Sequence, residues 1–183
     1  QIRASLGLDK SLPEQFFKYL GDLSRGDLGT SLTTGQPVLE DLITRLPASL
    51  ELTACALVLA VAVALPMGML AAMRPDSAVD HLCRGTITVS SAFPTFFIGL
   101  LLVFVFYYLL GWAPQPVGRL DEMRFSPPDR VTGAFLIDSL LAGQFDVFRA
   151  SLAQLVLPAI ALGMFALAPI ARITRAACWA RTC

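Results

Sequence analysis

The chain has 183 residues, of which 55% are hydrophobic and 15% charged, and its formal net charge is zero. That composition fits an integral membrane protein better than a soluble domain. It leaves no basic surplus for a nucleic-acid partner.

The chain opens on Gln1, and residues 1–45 are polar and mixed in charge, without the pattern of a signal peptide. Over residues 12–23, Phe16, Phe17, Leu20 and Leu23 fall at helical spacing behind Pro13. This predicts a short amphipathic helix on the outer surface. Gly26, Gly29 and Gly35 mark a turn-rich segment. Helix is expected again from Val38, with Pro47 at the approach to the membrane, so residues 1–49 read as an outer N-terminal region.

The first predicted span covers residues 50–73. Residues 52–73 carry no charge, and a helix of ~20 residues crosses the ~30 Å hydrocarbon core. Ala56, Ala60, Ala64, Gly68 and Ala72 recur every fourth residue as one ridge of small side chains. In lipid such a ridge lets helix backbones pack closely. It asks for a close helix neighbour, which a fragment need not contain.

Residues 74–86 read as a cytoplasmic loop and residues 87–112 as the second span. This span is bulky, with Phe96, Phe97, Phe104, Phe106, Tyr107 and Tyr108, and Trp112 sits where an interfacial anchor belongs. Its start is softer and more polar: Thr86, Thr88, Ser90, Ser91, Pro94 and Thr95. Residues 113–150 read as an outer loop broken by Pro114, Pro116, Gly118, Pro127 and Pro128, with a short helix expected over 134–142. The third span, residues 151–171, holds Pro158, Gly163 and Pro169, and Ala159 with Gly163 makes a second small pair.

The tail, residues 172–183, has Arg172, Arg175 and Arg181 and no acid, which orients it to the cytoplasm. An outside N-terminus without a signal then predicts an upstream span. The chain is expected to be a piece cut at both ends and poorly stable alone.

Chemistry is sparse. His81 stands without partners for a metal site, and Cys55, Cys83, Cys178 and Cys183 have no zinc or disulfide spacing. The apolar runs contain no carboxylate, which argues against a proton relay. Pro66, Pro94, Pro158 and Pro169 each read as a simple kink or as a hinge lining a cavity. Ser90, Ser91 and Thr95 beside Pro94 make that site the candidate for a polar path, although span hydroxyls also bond their own backbone.

An ordered series of motifs goes further. It runs Gly26-Asp27-Leu28-Gly29-Thr30-Ser31, Arg45-Leu46-Pro47-Ala48-Ser49-Leu50, Ala71-Ala72-Met73-Arg74 with Asp80, and Pro94-Thr95-Phe96-Phe97-Ile98-Gly99. It continues with Trp112-Ala113-Pro114, Asp138-Ser139-Leu140-Leu141-Ala142-Gly143, Leu157-Pro158 and Arg172-Ile173-Thr174-Arg175. Over residues 15–175 this resembles the dipeptide/oligopeptide permease subunits of bacterial ABC importers, which also serve glutathione and nickel complexes.

The resemblance implies an all-α, multi-pass inner-membrane protein with three of a normal six spans, plus short amphipathic outer-surface helices. The partners it implies are a second permease subunit, two cytoplasmic ATPases that hold the ATP and magnesium, a periplasmic solute-binding protein and the bilayer. No cofactor is implied in this chain. Ser90, Ser91, Pro94, Thr95 and Gly99 become the expected translocation path. The ATPase-coupling loop would lie beyond Cys183, and the tail after Arg175 departs from the family pattern. The alternatives are a helix-packing membrane scaffold and, with no catalytic constellation in view, a membrane enzyme.

Overall fold

The structure, a computed structural model, describes residues 11–182, except for the side chains of Ser91 and of residues 179–182. The chain divides into two units, Gln1–Leu46 and Pro47–Cys183. Apart from one isolated bridge, Thr30 to Pro37, the described residues contain no strand.

In the first unit, helix α1 runs Leu12–Ser24. Its start is fixed by a capping box, in which the Ser11 N–H donates to Glu14 at 3.3 Å, and by Pro13 in the first turn. None of its residues is buried, and Phe16, Phe17, Leu20 and Leu23 all stay exposed. An apolar stripe of this kind suits a helix lying in a membrane interface. The turn that follows closes on itself: Val38 N–H donates to the Gly29 carbonyl and Ser31 N–H to that of Gln36.

Helix α2 runs Val38–Met73. At ~1.5 Å per residue its 36 residues extend about 54 Å, well beyond the hydrocarbon core. Pro47 and Pro66 lie inside it without ending it. Glu40 and Asp41 in its first turn complement the helix dipole.

Helix α3 runs Ala78–Ala92, so helix begins inside the stretch read as a cytoplasmic loop. The cause is local, because the Ser77 hydroxyl accepts from the Asp80 N–H and caps the helix. Phe93 leaves the helix because Pro94 follows it. Helix α4, Thr95–Leu102, starts with Pro94 as its N-cap and passes into a π-helical segment, Val103–Leu109. Residues Ala78–Ser90 and Thr95–Leu109 meet at 108° across this break. The apolar stretch read as one span is therefore two helices joined at Phe93–Pro94.

Helix α5 is short, Phe135–Leu141, and α6 is long, Phe145–Thr182, carrying Pro158 and Pro169 unbroken. Among the described residues, two helices are long and apolar enough to cross a membrane, Val38–Met73 and α6 over Phe145–Cys178, and the bent pair makes a third if it counts as one span.

In the second unit α3, α4 and α5 all pack on α6. The small-residue ridge of α2 faces α6 as well. Ala56, Ala60, Ala64, Gly68 and Ala71 are buried, whereas Ala72 is half-buried. A Cβ on Gly68 would stand 2.9 Å from the Ala171 carbonyl oxygen, and one on Gly163 would stand 3.2 Å from that of Ala56. The close neighbour the ridge requires is therefore α6 of the same chain. Ala64, Ala71, Cys83, Leu167 and Ala171 form the core between α2, α3 and α6. The outward faces are apolar too, with Leu57, Val58, Leu65, Leu162 and Phe165 exposed, as lipid contact requires.

Candidate functional site

Three features lie along the second unit: a carboxylate network near Glu51, a cleft at the Pro94 break, and an arginine cluster around Asp80.

Glu51 sits one residue before the apolar run of α2 and is only 8% exposed. Helix α5 has Ala134 as its N-cap and no side-chain cap of its own. Glu51 supplies one from 85 residues away, accepting the Leu136 N–H at 2.6 Å. The other Glu51 oxygen accepts from Arg119 Nη2 at 2.8 Å. Arg119 also donates to the Gly133 carbonyl at 2.9 Å, and its guanidinium lies 3.8 Å above the Phe135 ring. Gly133 has φ +82°, and a Cβ there would meet Pro47 at 3.0 Å. Beside this network a cleft of about 350 Å³ opens between Ser49, Leu52, Val103, Gln154 and Pro158.

Asp138 is 1% exposed. Its carboxylate gathers the loop before α5, accepting the N–H groups of Val131, Thr132 and Gly133 and the Thr132 hydroxyl. Burial pushes this carboxyl up, but the Thr132 hydroxyl and the three backbone N–H groups outweigh it and hold it below the ordinary aspartate value. A depressed folded-state value means that the stabilisation is complete above the ordinary value and is lost as pH falls through the lowered one. Protection of the Thr132 and Gly133 amides from hydrogen exchange, taken relative to the intrinsic rate at each pH, is therefore expected to fall on acidification. Asp138→Ala should show that loss of protection already at neutral pH. Identical exchange in the two proteins at neutral pH would exclude this role for Asp138.

At the Pro94 break, Ser90, Pro94 and Thr95 line a cleft of about 400 Å³ with Phe93 and with Phe165, Ala168, Pro169 and Arg172 of α6. Ser90 is 4% exposed, and its hydroxyl has no hydrogen-bond partner among the described residues. Its neighbours behave differently: Thr86 donates to the Leu82 carbonyl and Thr88 to that of Arg84. Gly99 lies outside the cleft, facing Ala161 of α6. The Ser91 side chain lies outside the described residues.

Asp80 is fully buried. It accepts from Arg84 Nε at 3.1 Å and from Arg84 Nη2, from the Asp76 N–H at 3.2 Å, and from Arg175 Nη2 at 3.2 Å. Arg175 Nε stands 3.0 Å from its second oxygen. A third cleft of about 510 Å³ opens beside this cluster, lined by Cys83, Arg84, Ile87, Thr88, Arg172, Arg175 and Ala176. Arg172 belongs both to it and to the cleft at the Pro94 break. Among the described residues, no three His, Cys, Asp or Glu side chains gather as a metal site.

Glu51, Arg119 and Arg172 were not singled out as site residues from the sequence. For Glu51 and Arg172 the available signal was position: each is a charge at the border of an apolar run.

Residues 64–179 match the family described as "Binding-protein-dependent transport system inner membrane component". The chain is 44% identical to "Probable D,D-dipeptide transport system permease protein DdpB" of Escherichia coli, over 96% of this chain and 51% of that protein. It is 43% identical to "Di/tripeptide transport system permease protein DppB" of Pseudomonas aeruginosa, over 94% and 50%. It is 33% identical to "Glutathione transport system permease protein GsiC" of Pectobacterium atrosepticum, over 73% and 43%. The chain spans about half the length of the curated relatives it matches.

Proposed function

Since this chain belongs to the family of binding-protein-dependent transport system inner membrane components, we propose that it forms part of the membrane-spanning permease of an ATP-binding-cassette importer for peptides or similar small solutes. In this reading a periplasmic binding protein delivers the solute, a second permease subunit completes the pore, and two cytoplasmic ATPases supply the energy from ATP and magnesium. The end of α2 near Glu51 faces outward, and the Asp80 cluster lies at the cytoplasmic side, as the arginines of the tail favour.

The observation that carries the reading is the cleft at the Pro94 break. A buried serine hydroxyl without a partner costs about 1–3 kcal/mol, and a permease regains that when a passing solute accepts or donates there. Ser90, Pro94 and Thr95 then line the path, with Gly99 allowing α4 to approach α6. The bend at Phe93–Pro94 provides a hinge between two packed helices, suited to alternating access.

In the assembled importer, Ser90→Phe fills the cleft. Uptake is expected to fall by about tenfold or more, equivalent to ~1.4 kcal/mol on the barrier, at unchanged membrane level. Uptake equal to the parent's at matched level would remove Ser90 from the path.

A further inference from the structure

We propose that Arg172 is an anion receptor, taking the carboxylate of a small solute whose body lies in the cleft at the Pro94 break. The proposal rests on the translocation reading above and adds to it a chemical class of solute and a residue that selects it.

Three observations carry it. Arg172 is the residue shared by the two clefts, so a group bound to it stands at the junction between them. The other two arginines of the cleft beside Asp80 are committed, because Arg84 and Arg175 both pair with Asp80 and Arg84 also pairs with Asp76. Arg172 forms no ion pair among the described residues, and neither cleft has a carboxylate in its lining. Thirdly, the cleft beyond Arg172 is suited to the rest of such a solute. Phe93, Phe165 and Pro169 offer apolar walls, and the unspent Ser90 hydroxyl offers a hydrogen bond. Its ~400 Å³ falls within the usual range for small-molecule sites. A guanidinium presents a planar fork of N–H donors that matches a carboxylate in two parallel bonds.

The test uses the full chain in lipid nanodiscs and the arginine reagent phenylglyoxal, with adduct formation read residue by residue by mass spectrometry. Arg84 and Arg175 serve as internal references, because Asp80 holds them in the folded chain. The probe is the dipeptide glycyl-leucine at millimolar concentration, set against its C-terminal amide. The free acid is expected to slow modification of Arg172 by about tenfold, the scale of a charge-assisted pair, while the amide leaves it unchanged. Arg84 and Arg175 should not respond to either, and Ser90→Phe should abolish the protection.

Equal protection by acid and amide, or none by either, would overturn the proposal. So would slow modification in phosphatidylglycerol and fast modification in phosphatidylcholine without any solute effect, which would assign Arg172 to lipid headgroups. The two readings fail separately. Loss of uptake in Ser90→Phe without acid-specific protection keeps the path and discards the receptor. Protection alongside normal Ser90→Phe uptake keeps the receptor and discards the path.

Discussion

Gly68→Leu is expected to break the α2–α6 contact and to destabilise the chain by about 3 kcal/mol or more. Even a methyl group at this position would stand 2.9 Å from the Ala171 carbonyl oxygen and 2.9 Å from Thr174 Cβ. The first of these atoms is backbone, so relief requires one helix to move away from the other. The ridge would then lose contact over its length, since Ala60, Ala64 and Ala71 are buried on the same face. A graded series checks the cause. Gly163→Ala, with 3.2 Å to the Ala56 carbonyl, should cost less than Gly68→Ala. Gly85→Ala in α3, which meets nothing within 4 Å, should gain up to about 1 kcal/mol from helix propensity. Unfolding of the detergent-solubilised chain gives the order directly. Equal stability of Gly68→Leu and the parent would mean that the two helices do not touch there.

Glu51→Ala is the second substitution with a large expected effect. It removes the acceptor of the Leu136 N–H and the counter-charge of Arg119, which keeps only the Gly133 carbonyl. Removing one partner of a buried ion pair costs about 3–5 kcal/mol. The low end applies here, because the Arg119 side chain keeps 28% exposure and can turn to water. Glu51→Gln keeps an acceptor for Leu136 and loses the charge opposite Arg119, so its loss should be intermediate. The specific readout is hydrogen exchange at the Leu136 amide, which should be fast in Glu51→Ala and slow in Glu51→Gln. Slow exchange in both would exclude the cap across 85 residues.

The parts of this fold visible in the sequence are those set by short-range spacing. The ridge from Ala56 to Gly68 follows from period alone, and helix α1 from Pro13 and the spacing of Phe16, Phe17, Leu20 and Leu23. The ridge also marks where simple spacing fails. Each step of four residues advances about 400° around a helix, so the line drifts by ~40° per step. After Gly68 the buried position is therefore Ala71, and Ala72 turns partly away.

Pro94 announces a break, but not the 108° between the helices on either side of it. Thr88 and Ser90 look equivalent in sequence, both hydroxyl residues of one helix, yet only Thr88 spends its proton on its own backbone. The Glu51 network was illegible because Arg119 and Leu136 lie 68 and 85 residues further on. Only the packing of the loop and α5 beside Glu51, within the second unit, brings them within reach.

The Asp80 cluster joins partners separated by very different lengths of chain. Arg84 follows four residues later in the same helix, while Arg175 follows 95 residues later. During synthesis Asp80 meets Arg84 as soon as the first turn of α3 forms, long before α6 exists. The Arg84 contact needs only α3, so Arg175 joins a pair that a single helix already makes. Arrival of Arg175 at Asp80 therefore marks the moment in biogenesis when α6 has seated against α3, and a crosslink between those two positions would time it.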